Sequence, residues 1–239
     1  MRARESLILF ARPPLPGRAK TRLAPALGAE EAAGLYRAFL RDAAALALRV
    51  REARPGLQLV AEWALEAGED SSRLPFSEWL PGPFLHRPQA GSDLGERMAR
   101  ALERALAGGG SAVLIGSDFP DLPPGILLRA LEALAAPAPP GGASLRAAIG
   151  PAQDGGYYLI GLNGPQPEIF TGIAWGTDEV LTDTMLKLNE LNVDVTVLDH
   201  WRDVDSPADL DGLRARLASS PEGVAAHTRA QLRGGGGGS

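Results

Sequence analysis

The chain contains no cysteine, which excludes disulfides, thiolate metal sites and a cysteine nucleophile. Histidine is nearly as scarce. His86, His200 and His227 stand apart without an H-E-x-x-H pair, and no G-x-S-x-G elbow occurs, so neither a zinc enzyme nor a serine hydrolase is supported. No apolar run approaches the roughly 20 residues that span a bilayer, and no secretory n-region, h-region and cleavage site can be read at the start. A cytoplasmic protein with no membrane partner is expected, and the lack of cysteine suits that compartment. The formal net charge of -5 argues against the broad basic surface that a nucleic-acid partner needs. Lysine occurs only at positions 20 and 187. What is present, 239 residues at 45% hydrophobic and 22% charged, is enough for a soluble domain with a substantial core.

Periodicity predicts alternating strands and helices. Strand-like runs fall at 6–12, 57–63, near Phe84-Leu85, and at 112–116, 145–150, 157–162 and 193–198. Helical spacing covers 29–53, 94–107, 124–136, 178–190 and 206–218. Asp93-Leu-Gly-Glu96 has the form of a capping box, and Ser206-Pro207-Ala-Asp209 that of a helix start. Such alternation favours a mainly parallel α/β sheet covered on both faces. One domain over 1–218 is the simpler organisation, with a Pro/Gly linker at 137–142 inside it. A polar, frayed extension at 219–233 and an appended linker at 234–239 follow.

The segment Arg12-Pro-Pro-Leu-Pro-Gly17-Arg18-Ala-Lys20-Thr-Arg22 follows the first strand and packs four cations into eleven residues. Gly17 would let backbone approach an anion, and Arg18, Lys20 and Arg22 could neutralise a di- or triphosphate. The alternative is a solvated basic turn. Neither a P-loop spacing nor G-x-G-x-x-G is present. Asp118, just beyond the strand at 112–116, could hold Mg²⁺ or Mn²⁺, which take oxygen ligands and bridge to phosphates. Asp121 reads better as turn chemistry before Pro123-Pro124. The helix start at Ser206 leaves Asp203 and Asp205 unexplained, and a metal role for Asp205 stays open beside a helix-dipole role. Asp154-Gly155-Gly156 reads as a hairpin turn, or as backbone close to a ligand with Asp154 on a hydroxyl. Thr177 reads as an N-cap, and Trp175 as a core or stacking residue.

Together, R-P-P-x-P-G-R-x-K-T-R-L (12–23), G-S-D-L-G-E-R-M (91–98), G-S-D-x-P-D-L (116–122), D-G-G-Y-Y-L-I-G (154–161), W-G-T-D (175–178) and D-V-D-S-P-A-D-L (203–210) resemble a known family. It comprises the bacterial GT-A-fold transferases labelled selenodomain- or radical-SAM-associated, also described as arsenosugar-type glycosyltransferases. Much of it was formerly a domain of unknown function. The chain is similar, more distantly, to the molybdenum-cofactor and 2-phospholactate guanylyltransferases. Phe119 and Gly176 stand where relatives commonly carry Cys and Ser, and Ser206 where they carry Thr.

The resemblance implies a three-layer α/β/α sandwich with a Rossmann-like, mainly parallel sheet. It places Arg12, Gly17, Lys20 and Arg22 in a nucleotide-phosphate loop, Asp118 and Asp205 on a metal, and Asp93 and Asp154 toward acceptor or ribose, with Gly155 and Trp175 beside them. The expected protein is a Mg²⁺- or Mn²⁺-dependent, nucleotide-using transferase in which Lys20, Arg22 and Asp118 act in turnover. The basic loop leans the expectation toward nucleotidyl transfer from an NTP to a phosphorylated or phosphonate small molecule. Glycosyl transfer from a nucleotide-diphospho-sugar is the alternative, and a non-catalytic nucleotide-binding module a further one.

Overall fold

A computed structural model describes residues 4–137 and 145–234. Seven strands form one sheet: β1 (Glu5–Ala11), β2 (Gln58–Trp63), β3 (Phe84–Pro88), β4 (Ser111–Gly116), β5 (Arg146–Pro151), β6 (Tyr157–Leu162) and β7 (Asp194–Val197), in the order β3-β2-β1-β4-β6-β5-β7. All pairings are parallel except those of β6 with β4 and with β5. The exception has a simple cause. Only residues 152–156 join β5 to β6, too few for the crossover that a parallel pair requires.

The helices are α1 (Ala24–Leu27), α2 (Ala29–Ala53), α3 (Phe76–Trp79), α4 (Leu94–Leu106), α5 (Pro124–Ala135), α6 (Val180–Glu190), α7 (Pro207–Ala218) and α8 (Ala226–Gly234). The sheet is covered on both faces. Leu7 and Leu9 of β1 face the core shared with α2, α5 and α7, whereas Ile8 and Phe10 face the core shared with α4 and the 3-10 turn Pro167–Phe170. Burial on both faces is why β1 reads as a continuous apolar run rather than an alternating one. Strand order reverses between β1 and β4, which pair side by side up to Phe10 opposite Gly116. In open α/β sheets the crevice at that reversal, beyond the strands' carboxyl ends, is where ligands bind.

Two expectations change. The frayed extension is instead a docked helix, because Asp42 on α2 reaches its start. One Asp42 carboxylate oxygen accepts from the His227 N–H at 3.0 Å, and the other from the Thr228 N–H at 2.9 Å and hydroxyl at 2.6 Å. A cap supplied from another helix leaves no local sequence signal. Asp42→Ala is expected to destabilise the protein by about 2 kcal/mol, since it strips charge-assisted bonds from buried donors. Thermal denaturation would measure the loss, and hydrogen exchange would localise it to 226–234. The second change is at 178–190, where the helix begins at Val180 with Glu179 as its N-cap. Thr177 closes the preceding turn instead, donating to the Ala174 carbonyl at 2.9 Å and accepting from the Glu179 N–H at 3.3 Å. The linker at 138–142 and the tail at 235–239 lie outside the described residues. No described helix is long and apolar enough to cross a membrane.

Candidate active site

A cleft of about 570 Å³ opens at the carboxyl ends of β1 and β4. Its basic side is the loop after β1. Ala19 and Leu23 are core residues, and their burial draws the intervening Lys20 inward. The Lys20 side chain is 3% exposed, and its ammonium lies 5.6 Å from the Tyr36 ring centre and 5.5 Å from that of Phe39. Its backbone is left-handed at φ 51°, a conformation that costs an L-residue roughly 1–2 kcal/mol. The carboxylates of Asp118 at 2.5 Å and Asp205 at 3.7 Å share the charge. Asp205 reaches this point although β7 lies at the far edge of the sheet. The segment after β7 runs back along the rim, and the Val204 N–H donates to the Asp118 carbonyl at 3.0 Å.

The floor beneath is polar but shut off from solvent. Tyr36 and Ser117 share a 2.7 Å hydrogen bond, and the Arg12 backbone N–H donates to the Tyr36 hydroxyl at 3.2 Å. Burial pushes the Tyr36 hydroxyl above the usual phenol range, and the neighbouring Asp118 charge pushes it further. Tyr36 and Ser117 were missed from the sequence, since a tyrosine at core spacing in a helix looks like packing. Arg22 lines the cleft 77% exposed and pairs with Asp205 at 3.1 Å. Arg12 lines it too, and its guanidinium makes no hydrogen bond or ion pair among the described residues. Gly17 turns at φ 75° with open space around it, so it serves the turn and leaves access from solvent.

Arg18 does not join them. Its guanidinium makes paired bonds of 2.8 and 2.7 Å to Glu69 and a 3.0 Å contact to Glu66. The bond from Arg18 holds Glu69 down to about 2. Arg18 therefore straps the loop to residues 66–69 and does not line the cleft, where a phosphate role had been expected of it. Asp93 is also accounted for otherwise: it caps α4, accepting from the Glu96 N–H at 2.8 Å, and it does not line the cleft. The reciprocal bond of the expected capping box slips by one residue, with Glu96 accepting from the Ser92 N–H at 2.7 Å. Asp121 lies in the turn closed by the Leu122 N–H on the Phe119 carbonyl at 3.2 Å, as expected, and it also makes long-range contacts. It is buried, accepting from the Trp201 indole at 3.1 Å and from Arg216 at 2.7 Å.

The opposite wall comes from the β5–β6 turn and the segment before α6. Asp154 and Trp175 both line it. The half-buried indole of Trp175 lies directly on Gly95, where an added Cβ would come within 2.6 Å of its Nε1. Gly155 approaches protein rather than ligand, for its φ is 87° and a Cβ there would stand 2.2 Å from the Asp178 carbonyl oxygen. Gly155→Ala is therefore expected to cost about 1–3 kcal/mol through strain and overpacking. At Gly156 the nearest atom is an Asp154 carboxylate oxygen at 3.3 Å, so Gly156→Ala should be milder. Paired melting curves test the contrast. Asp203 faces the same space and is pushed up to about 6, by burial first and then by the charges of Asp154, Asp209 and Asp118.

Among the described residues no group of three or more His, Cys, Asp or Glu side chains is arranged to hold a metal ion. Two hard carboxylates, Asp118 and Asp205, do meet at Lys20. That donor set fits Mg²⁺ or Mn²⁺, which need only one or two carboxylates when phosphates and water complete the shell.

The family model for uncharacterized proteins conserved in bacteria, DUF2064, matches residues 50–177. The chain belongs to this family. The DUF2064 match contains Asp118, Asp154 and Trp175, whereas the Lys20 loop and Asp205 lie outside it. A candidate nucleotide-diphospho-sugar transferase from Desulfovibrio desulfuricans G20 is 35% identical, with a TM-score of 0.82 over 96% of this chain and 94% of that one. Two remoter structures share the fold. One is a 4-diphosphocytidyl-2C-methyl-D-erythritol synthase from Anaerococcus prevotii DSM 20548 (9% identity, TM-score 0.52, 90% of this chain and 96% of that one). The other is a nucleotidyl transferase from Methanothermobacter (14%, 0.52, 90% and 98%). No curated protein matches this DUF2064 chain.

Proposed function

We propose that this protein is a nucleotide-dependent transferase that moves a sugar from a nucleotide-diphospho-sugar to a small-molecule hydroxyl. One observation carries the reading: a nearly buried lysine, held in a left-handed backbone at the strand-order reversal, pairs with Asp118 of the cleft lining and with Asp205 just behind that lining. Strained, over-determined cations of this kind suit phosphate recognition at a pre-formed site. Arg12, Lys20 and Arg22 take the diphosphate. Asp118 and Asp205 would hold Mg²⁺ or Mn²⁺, which neutralises phosphate charge as the nucleotide departs. The acceptor oxygen bonds to the anomeric carbon while the bond from that carbon to the diphosphate breaks. The nucleoside diphosphate leaves with the electron pair, and the hydroxyl proton goes to a cleft carboxylate.

The loop's charge supports the first of two kinds of transfer. Arg18 is taken by Glu66 and Glu69, and Lys20 and Arg22 are partly offset by Asp118 and Asp205. The remaining cationic surplus suits a diphosphate better than a triphosphate tail. The name of the Desulfovibrio relative points the same way. Nucleotidyl transfer from an NTP to a phosphorylated or phosphonate acceptor is the second reading, favoured by the two remoter neighbours' activities and by the clustering of cations after β1. Product analysis separates them. Nucleoside diphosphate released from a sugar nucleotide supports the first reading, and pyrophosphate released from an NTP the second. Binding with neither product across a broad acceptor panel would leave a non-catalytic binding module.

A further inference from the structure

Charge is not spread evenly round the cleft. In strand order, Arg12, Lys20 and Arg22 belong to β1 and its loop, Asp118 to β4, and Asp154 to the β5–β6 turn. The wall beyond β4 is formed by Asp154, Trp175, Thr177 and Asp178, with Asp203 closing it from the segment after β7. Among the described residues no lysine or arginine of the cleft lining comes from the segments that form that wall. The remaining cleft arginine, Arg97, comes from α4, and its Nε donates to the Gly91 carbonyl at 3.1 Å. Asp178 and Asp203 neither accept a hydrogen bond nor form an ion pair among the described residues, and Asp154 accepts only from the Gly156 N–H at 3.0 Å. Trp175, braced on Gly95, adds a rigid aromatic surface beside them.

We propose that this wall is the acceptor subsite, and that it takes an uncharged, hydroxyl-bearing ring such as a sugar or cyclitol rather than a phosphorylated one. The inference rests on the nucleotide-sugar reading above. Unpaired carboxylates accept from hydroxyls in charge-assisted hydrogen bonds. They repel a phosphate, and among the described residues no lysine or arginine forms an ion pair with Asp154, Asp178 or Asp203. The indole face suits the apolar C–H face of a ring, combining area burial with fixed geometry. The wall thus differs from the phosphate side in both charge and shape, and it tells donor from acceptor before any contact specific to one sugar is made.

The test titrates a panel of methyl pyranosides and the matching sugar 6-phosphates, with and without a panel of nucleoside diphosphates. Tryptophan emission is the readout and Trp175→Phe the control. At least one methyl pyranoside should bind about tenfold or more tightly than its 6-phosphate, and Asp154→Asn/Asp178→Asn should narrow that ratio. A sugar phosphate bound as tightly as its parent overturns the subsite. A panel in which no pyranoside alters the Trp175 signal overturns it equally. If no nucleoside diphosphate binds, the donor reading falls instead, and the pyranoside ratio measured without nucleotide still judges the wall.

Discussion

Asp118→Asn should lower transfer turnover by at least about 100-fold, equivalent to roughly 2.7 kcal/mol in the barrier. The change keeps the side-chain shape and removes the charge that stands 2.5 Å from Lys20. Two consequences follow with opposite signs. Metal-assisted nucleotide binding should weaken, because a neutral amide is a poor ligand for Mg²⁺. Metal-free binding should hold or tighten, because Lys20 is left with only Asp205, at 3.7 Å, to offset its charge. Asp118 is 42% exposed, so solvent screens the loss of the ion pair. The stability penalty should therefore stay near 1 kcal/mol, too small for unfolding to explain lost turnover. Calorimetric titration of a nucleoside diphosphate with and without Mg²⁺, beside product release from a sugar nucleotide, reads all three quantities. Wild-type turnover in this variant would remove Asp118 from the reaction.

Most of the fold was legible because the chain's local signals agree with one another. The apolar runs of β1 and β4, the helical spacing of α2 and the Ser206–Asp209 helix start each mark an element where the structure has one. The strand-end rule then placed Lys20 and Asp118 at one rim. What escaped depends on partners distant in sequence. Arg18 looks identical to Lys20 on charge alone. Only the position of Glu69, 51 residues away, turns Arg18 outward, while the burial of Ala19 and Leu23 turns Lys20 in. Asp42 and Asp121 are carboxylates in helix and turn positions whose partners, Thr228 and Arg216, lie 186 and 95 residues on. The acidic wall was half visible: Asp154 and Trp175 were marked, Asp203 was left unexplained by the helix start at Ser206, and Asp178 stood only as the last residue of W-G-T-D.

Lys20→Ala should weaken nucleoside diphosphate binding roughly 10- to 150-fold, the cost of about 1.5–3 kcal/mol for one charge-assisted contact. The substitution also deletes an aliphatic stem packed over Tyr36 and Phe39, and it leaves Asp205 with Arg22 and Asp118 with no ion-pair partner among the described residues. Some loss of stability is therefore expected alongside the loss of affinity. Lys20→Gly separates the two effects. Glycine relieves the left-handed backbone at φ 51°, so this variant should be at least as stable as Lys20→Ala while binding nucleotide no better. Lys20→Arg should not restore binding, because the slot beneath the Ala19–Leu23 turn is closed and a planar guanidinium cannot take the place of a compact ammonium. If Lys20→Ala binds with wild-type affinity, the diphosphate does not rest on this lysine. Arg12, the cleft cation with no partner of its own among the described residues, would then become the group that the phosphates meet first.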